Sequence, residues 1–203
     1  MTDINSIIDQ LTQTEHGFKH IVEAGDKLLD DDGLPHLQIA GSLINHKAYQ
    51  ARMLGTHLLG RLSAGNTAAL ALLKTNVTND ANWRVQEMLA KAIDQYCKDT
   101  GYEAALPEIK LWLGSRHHNL NRAVVEGLRV WTSRPYFKNK PQEAIKLISK
   151  LKRHDSEYVR KSVGNALRDI GKKHPELIGK ELSKWDLSDP LTAFVYKLVR
   201  LKG

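Results

Sequence analysis

The sequence predicts an all-α fold, an α-α superhelix (solenoid) of HEAT-like repeats with a concave, basic groove. Apolar residues recur at helical spacing along the chain, and no stretch alternates convincingly as a strand would. Related helices recur at offsets of 35 and 39 residues, the period typical of HEAT-like helical pairs. Cationic residues lie opposite the apolar stripes. We therefore expect a single repeat domain over residues 1–203.

Composition narrows the possible partners and locations. The 203 residues are 41% hydrophobic, and the formal net charge is +7, which favours a polyanion, with nucleic acid ahead of membrane. The one cysteine, Cys97, excludes an intrachain disulfide and a thiolate metal cluster, and it is expected to be a buried thiol. The N-terminus lacks a signal-peptide layout, and no apolar run approaches the roughly 20 residues that span a bilayer. We expect a cytoplasmic monomer without membrane association.

The N-terminal half contains a series of predicted helices. Helical spacing indicates helices over 4–13 and 18–29 on either side of Gly17, then over 36–44, 47–62 and 68–74. The helix over 79–97 has a clear apolar stripe, and Asn79 and Asp80 are its predicted N-caps. Further helices are predicted over 101–113, 120–128, 141–152, 155–171 and 175–185, with a last helix opened by the turn at 188–190.

The repeat register predicts which residues share a row across the helices. Val85, Leu89 and Ile93 match apolar residues 35 positions later, and these match another apolar set 39 positions further on. Stacked repeats place equivalent positions side by side on one face. The predicted rows are Trp83, His118 and Glu157; Glu87, Arg122 and Lys161; and Lys91, Glu126 and Asn165.

Trp83 is the first functional signal, because it lies on the polar face of its helix. A tryptophan on that face does not gain the large free energy of burying its ring unless something outside the core covers it. Packing on an adjacent helix or loop is the alternative. Trp112, Trp131 and Trp185 fall on apolar stripes or at helix ends and are expected in the core.

Cationic and polar residues around these rows could follow a duplex backbone, each neutralised phosphate adding a counterion-release contribution. The alternative is a solvated charged face, since i,i+4 pairs such as Glu87–Lys91 contribute little and are common. No metal site is expected, because His16 and His20 lack the glutamate of an HExxH motif. The candidate DNA-binding residues are Arg84, His118, Arg122, Arg160, Lys161, Asn165 and Arg168.

Three segments resemble the bacterial DNA alkylation repair family, the AlkC/AlkD-like HEAT-repeat alkylpurine DNA glycosylases. They are NWRVQEMLAKAIDQYC (82–97), NLNRAVVEGLRVW (119–131) and SEYVRKSVGNALRDIGKKHPELI (156–178). The resemblance is clearest from about residue 79 to 180, and VGNALRDIGKKHPEL is its most specific piece. It implies binding of damaged or distorted double-stranded DNA and removal of cationic bases such as 3-methyladenine and 7-methylguanine. It also implies that the reaction needs no metal and no nucleotide cofactor.

The resemblance also assigns candidate roles to individual residues. The family's cleft has an aromatic residue followed four positions later by a carboxylate, which implies that Trp83 and Glu87 are the catalytic pair. In the family this carboxylate is usually that of an Asp. Glu87 differs from it by one additional methylene, which moves the charge further from the backbone. Arg122 corresponds to an Arg that grips the backbone, and Asn165 stands where the family has a second cleft Trp.

Three functions therefore follow from the sequence. The first is a DNA-binding alkylpurine N-glycosylase. The second is a non-catalytic binder of damaged, bent or branched DNA, because Asn165 removes one aromatic wall. The third is a protein-binding scaffold, the usual function of HEAT arrays.

Overall fold

The computed structural model describes residues 3–200, and within that range the chain forms thirteen α-helices and no β-strand. The predicted all-α, HEAT-like class is confirmed. The chain divides into two compact units between Asp99 and Thr100. The single domain over 1–203 stays a prediction, and its first two and last three residues lie outside the described range. No helix within 3–200 is both long and apolar enough to cross a bilayer.

The first unit contains six helices within its described residues, all at or near predicted positions. Asp3 caps the first by accepting the backbone N–H groups of Asn5 and Ser6. The helices are α1 (Ile4–Thr12), α2 (Lys19–Leu29), α3 (His36–Leu43), α4 (Tyr49–Leu62), α5 (Thr67–Thr75) and α6 (Trp83–Thr100), the last residue of which begins the second unit.

The second unit is also built of helices, and five of its described helices carry proline in the first turn. Sequence patterning missed the short α9, which has only five residues. The helices are α7 (Leu106–Leu113), α8 (His118–Gly127), α9 (Pro135–Asn139), α10 (Pro141–Ser149), α11 (Glu157–Gly171), α12 (Pro175–Leu182) and α13 (Pro190–Arg200).

The predicted apolar stripes form the cores of the two units. Ile93 of α6, Val124 of α8 and Val163 of α11 are fully buried, and each contributes about 1.5–3 kcal/mol by leaving water. Cys97 is buried, as predicted. The three tryptophans assigned to the core are buried too, namely Trp112, Trp131 and Trp185.

A recurring hydrogen bond reveals the repeat in three dimensions. Arg52, Gln86, Asn121 and Arg160 are separated by 34, 35 and 39 residues along the chain. Each side chain donates to the backbone carbonyl six residues earlier, in the turn that precedes its helix. Bonding of this kind satisfies carbonyls that the turn leaves exposed. The repeat therefore extends to α4, one repeat earlier than the apolar pattern of the sequence indicated.

Helices α4 and α6 approach each other closely at Gly60. A Cβ built on Gly60 would lie 2.7 Å from the Cβ of Ala92 and 2.8 Å from its Cα. Such distances leave no space for a side chain. The glycine thus sets the spacing of the two helices that begin with Tyr49, which is partly exposed, and Trp83, which is exposed.

Candidate functional site

The N-terminus of α6 presents the predicted catalytic pair. Asn82 caps the helix, because its Oδ1 accepts the Arg84 N–H at 2.9 Å. The predicted caps Asn79 and Asp80 are therefore wrong; Asp80 instead accepts the Asn82 N–H at 2.8 Å. Trp83 becomes the first helical residue and is 53% exposed, as its position on the polar face predicted. Glu87 follows one turn later and is half-buried.

An ion pair fixes the start of α4 to the turn before α6. Arg52 donates through Nε and Nη2 to the two carboxylate oxygens of Asp80, at 2.5 and 3.2 Å. Its Nη1 donates to the carbonyls of His46 and Lys47. The side chains are 21% and 8% exposed, so the pair is shielded from solvent. The first residues of α4 and α6 are thereby held in fixed positions.

Those first residues are both aromatic, and a cation lies against them. The guanidinium carbon of Arg84 is 4.7 Å from the centre of the Trp83 ring and 5.1 Å from that of Tyr49. Its Nη2 lies 3.2 Å from Nδ1 of the exposed His16. The hydroxyl of Tyr49 donates to the Glu15 carbonyl at 2.7 Å, which orients that ring. We call these four side chains, His16, Tyr49, Trp83 and Arg84, the aromatic–arginine cluster.

In the second unit, histidines organise the equivalent helix starts. His117 Nδ1 accepts the Asn119 N–H at 3.3 Å, and His154 Nδ1 accepts the Ser156 N–H at 3.0 Å. Burial lowers the pKa of both imidazoles below the ordinary value of about 6.5, and neighbouring His118 lowers each further. His118 is exposed and stacks on His117, with ring centres 5.3 Å apart.

Two of the predicted phosphate-binding arginines are largely buried. Arg122 is 6% exposed, and its guanidinium lies 4.2 Å from the centre of the Tyr158 ring. Arg160 is 7% exposed and donates to the carbonyls of His154 and Asp155 at 2.6 and 2.8 Å. Arg160 therefore stabilises the turn before α11, and Arg122 orders the exposed Tyr158 beside it.

The remaining predicted residues lie along α11. Lys161 forms an i,i+4 ion pair with Glu157 at 2.8 Å, and both side chains are more than half exposed. Asn165 and Arg168 are brought together, since the Arg168 Nη2 donates to the Asn165 Oδ1 at 3.0 Å. The amide of Asn165 thus holds an arginine at the position where the resemblance implies an aromatic wall.

Sequence reasoning missed Tyr49 and Tyr158, although a usable signal existed for the first. Tyr49 lies 34 residues before Trp83, so it occupies the same row once the register is extended to α4. Tyr158 follows the row residue Glu157 directly and is 46% exposed. Exposed aromatic faces beside guanidinium groups can stack on a nucleobase and bind a phosphate together.

This chain is similar to several known proteins. The family described as DNA alkylation repair enzyme matches residues 24–186. The uncharacterized protein YhaZ of Bacillus subtilis (strain 168) is 33% identical over 99 residues, which cover 47% of this chain and only 28% of that protein's length.

Three solved structures are similar. AlkD2 from Streptococcus mutans is 45% identical with a TM-score of 0.93, covering 96% of this chain and 94% of its own. The protein smu.31 from Streptococcus mutans UA159 is 42% identical with a TM-score of 0.90, covering 97% and 96%. Pseudomonas fluorescens AlkC, an alkylpurine DNA glycosylase bound to DNA containing an abasic site analog, is 22% identical with a TM-score of 0.65, covering 90% of this chain and 51% of its own. This last similarity concerns the fold.

Proposed function

Because the chain belongs to the DNA alkylation repair enzyme family, we propose that it binds duplex DNA containing N-alkylated purines and removes the alkylated base by hydrolysis of the N-glycosidic bond. The observation that carries the proposal is the exposed Trp83 at the start of α6, with the carboxylate of Glu87 one turn later. The proposed substrate class is the one that the sequence resemblance to the alkylpurine DNA glycosylases implies, and AlkC, an alkylpurine DNA glycosylase, is similar to this chain in fold.

The chemistry requires little from the protein, because the leaving group is already activated. An N3- or N7-alkylated purine is a cation, so the C1′–N bond breaks with its electron pair passing to the purine, which leaves neutral. Positive charge then develops on the sugar. In this proposal the Glu87 carboxylate stabilises that charge and orients the water that adds to C1′, and the proton from the water passes to the carboxylate or to solvent.

Trp83 has a complementary part in the proposal. Its exposed ring offers a π face that attracts a cation, whether the alkylated base or the developing oxocarbenium sugar. Lys161 and His118 are the exposed cationic or titratable candidates for phosphate contact in the second unit, whereas Arg160 acts through the turn that it stabilises. The net charge of +7 supports attraction to a polyanion.

Base release from methylated duplex DNA tests excision directly. Wild-type protein should release 3-methyladenine or 7-methylguanine, and Glu87→Gln should slow release by about 100-fold, since a preorganised charge is lost. Glu23→Gln, which changes an exposed carboxylate of the same unit, is the matched control and should be unaffected. Release no faster than the spontaneous rate with wild-type protein would refute excision of these bases.

Binding without excision is the second candidate, and the Asn165–Arg168 hydrogen bond favours it. An amide cannot supply the stacking or cation–π attraction of an aromatic wall. This candidate predicts salt-dependent DNA binding with a preference for branched or bent DNA over linear duplex, and no base release. Absence of DNA binding even at low salt would refute both candidates and favour a protein-binding scaffold.

A further inference from the structure

The aromatic–arginine cluster carries a planar cation in contact with two aromatic rings. The Arg84 guanidinium carbon lies 4.7 Å from the Trp83 ring centre and 5.1 Å from the Tyr49 ring centre. Trp83 is 53% exposed, and Tyr49 and Arg84 are partly exposed. Unlike Arg160 and Arg122, this arginine therefore lies at a surface that a ligand can reach.

A guanidinium is chemically close to an N-alkylated purine. Both are flat, both delocalise a single positive charge over nitrogen and carbon, and both are attracted to the electron-rich face of an aromatic ring. The contact with Arg84 shows that the rings of Tyr49 and Trp83 accommodate a planar cation. The same surface would accept the cationic base that the proposed function requires.

We propose that Arg84 is a specificity-determining residue that occupies the Tyr49–Trp83 surface in the absence of substrate and that only a cationic base displaces. This inference rests on the proposed function for the identity of the ligand. A neutral base is attracted to the two rings more weakly than the guanidinium is, so it cannot displace Arg84 from them. A cationic base offers an equivalent interaction and in addition brings a phosphate backbone to which the displaced Arg84 can bind.

The surrounding contacts allow this exchange. Arg52 and Asp80 fix the two helix starts, so the rings of Tyr49 and Trp83 stay in position when the guanidinium leaves. Arg84 is held by the π faces and by Nδ1 of the exposed His16, at 3.2 Å. A backbone phosphate group carries a negative charge shared by its two non-bridging oxygens, and charge-assisted hydrogen bonds to such oxygens are stronger than those to uncharged acceptors.

The same competition would release the product. Cleavage of the C1′–N bond transfers the bonding electron pair to the purine, so the freed base is neutral. Its cation–π attraction to Trp83 and Tyr49 is then lost, and the Arg84 guanidinium can return. Arg84 thereby distinguishes substrate from product by charge alone.

Small-molecule titration tests the inference without DNA. The probes are the 3,9-dimethyladeninium cation and neutral 9-methyladenine, and the signal is quenching of Trp83 fluorescence. All four tryptophans lie within residues 3–200, and the other three are at most 7% exposed, so Trp83 reports surface binding. Arg84→Met removes the charge and keeps an unbranched side chain. It should raise affinity for the cation by about ten-fold, with little gain for 9-methyladenine.

Controls separate this inference from a structural effect. Arg116→Met changes an exposed arginine in the second unit and should leave both affinities at wild-type values. Adding Tyr49→Leu to Arg84→Met should abolish most of the gain, because one ring is lost. Circular dichroism checks that each variant folds, and Arg84→Gln replaces Arg84→Met if the latter does not.

Unchanged cation affinity in the Arg84 variant, no quenching by the cation, or an equal gain for the neutral base would overturn the inference. These outcomes are independent of DNA. A protein that fails to bind or cleave methylated DNA refutes the proposed function, yet it can still show the charge-selective gain that identifies Arg84 as the occupant of the two rings.

Discussion

Replacing Asp80 with asparagine tests whether the Arg52–Asp80 ion pair holds the first turns of α4 and α6. The variant keeps the size of the side chain but removes the negative charge, and leaves the Arg52 guanidinium, 21% exposed, without its counter-ion. Removing one partner of a buried pair costs about 3–5 kcal/mol. Arg52 retains two backbone carbonyls, and an amide oxygen remains, so the expected loss in the free energy of unfolding is about 2 kcal/mol.

Urea denaturation followed by circular dichroism measures this loss. Glu157→Gln makes the same chemical change in the Lys161 ion pair, whose side chains are 55% and 58% exposed, and should cost less than about 0.5 kcal/mol. Asp80→Asn should also alter the accessibility of Trp83 to acrylamide, because the helix start loosens. Equal losses for the two variants would refute the structural role given to Asp80.

Two further predictions concern packing and pH. Gly60→Val should destabilise the protein by about 1–3 kcal/mol in the same urea assay, because its Cβ would lie 2.7 Å from that of Ala92; Gly65→Val, where a Cβ meets nothing within 4 Å, is the control. Burial lowers the pKa of His154 and His117 in the folded protein, so below about pH 6.5 the unfolded chain binds more protons. The stabilising contribution of the two neutral histidines should therefore be fully present above about pH 6.5, and the free energy of unfolding should decrease as the pH is lowered through that value. His154→Asn should reduce this slope, and a slope equal to that of wild type would contradict the assignment.

Much of the fold could be predicted because helical periodicity is a local property of the chain. The stripe through Val85, Leu89 and Ile93 requires a helix with one buried face, whatever that face contacts. Its recurrence at 35 and 39 residues then indicates stacked repeats. Trp83 could be identified as exposed for the same reason, since its angular position on the helix is set by its distance from the stripe.

The helix start was predicted less well. Asn79, Asp80 and Asn82 all have side chains that can cap a helix, and sequence alone does not select among them. Asp80 pairs with Arg52 of another helix, which leaves Asn82 as the cap. The choice of helix cap thus depends on an ion pair with a residue 28 positions away along the chain, and no local sequence pattern contains that information.

The sequence by itself determined the helices, their repeat, the basic charge and the exposure of Trp83, because these depend on residue type and on spacing along one helix. Tertiary structure alone decided what each cation does. Arg160 and Arg122 are buried against a turn and a tyrosine, Arg168 is bound to Asn165, and Arg84 lies on two aromatic rings. The physical reason is that a long, charged side chain reaches several alternative partners, and only the packing of neighbouring helices determines which partner lies within its range.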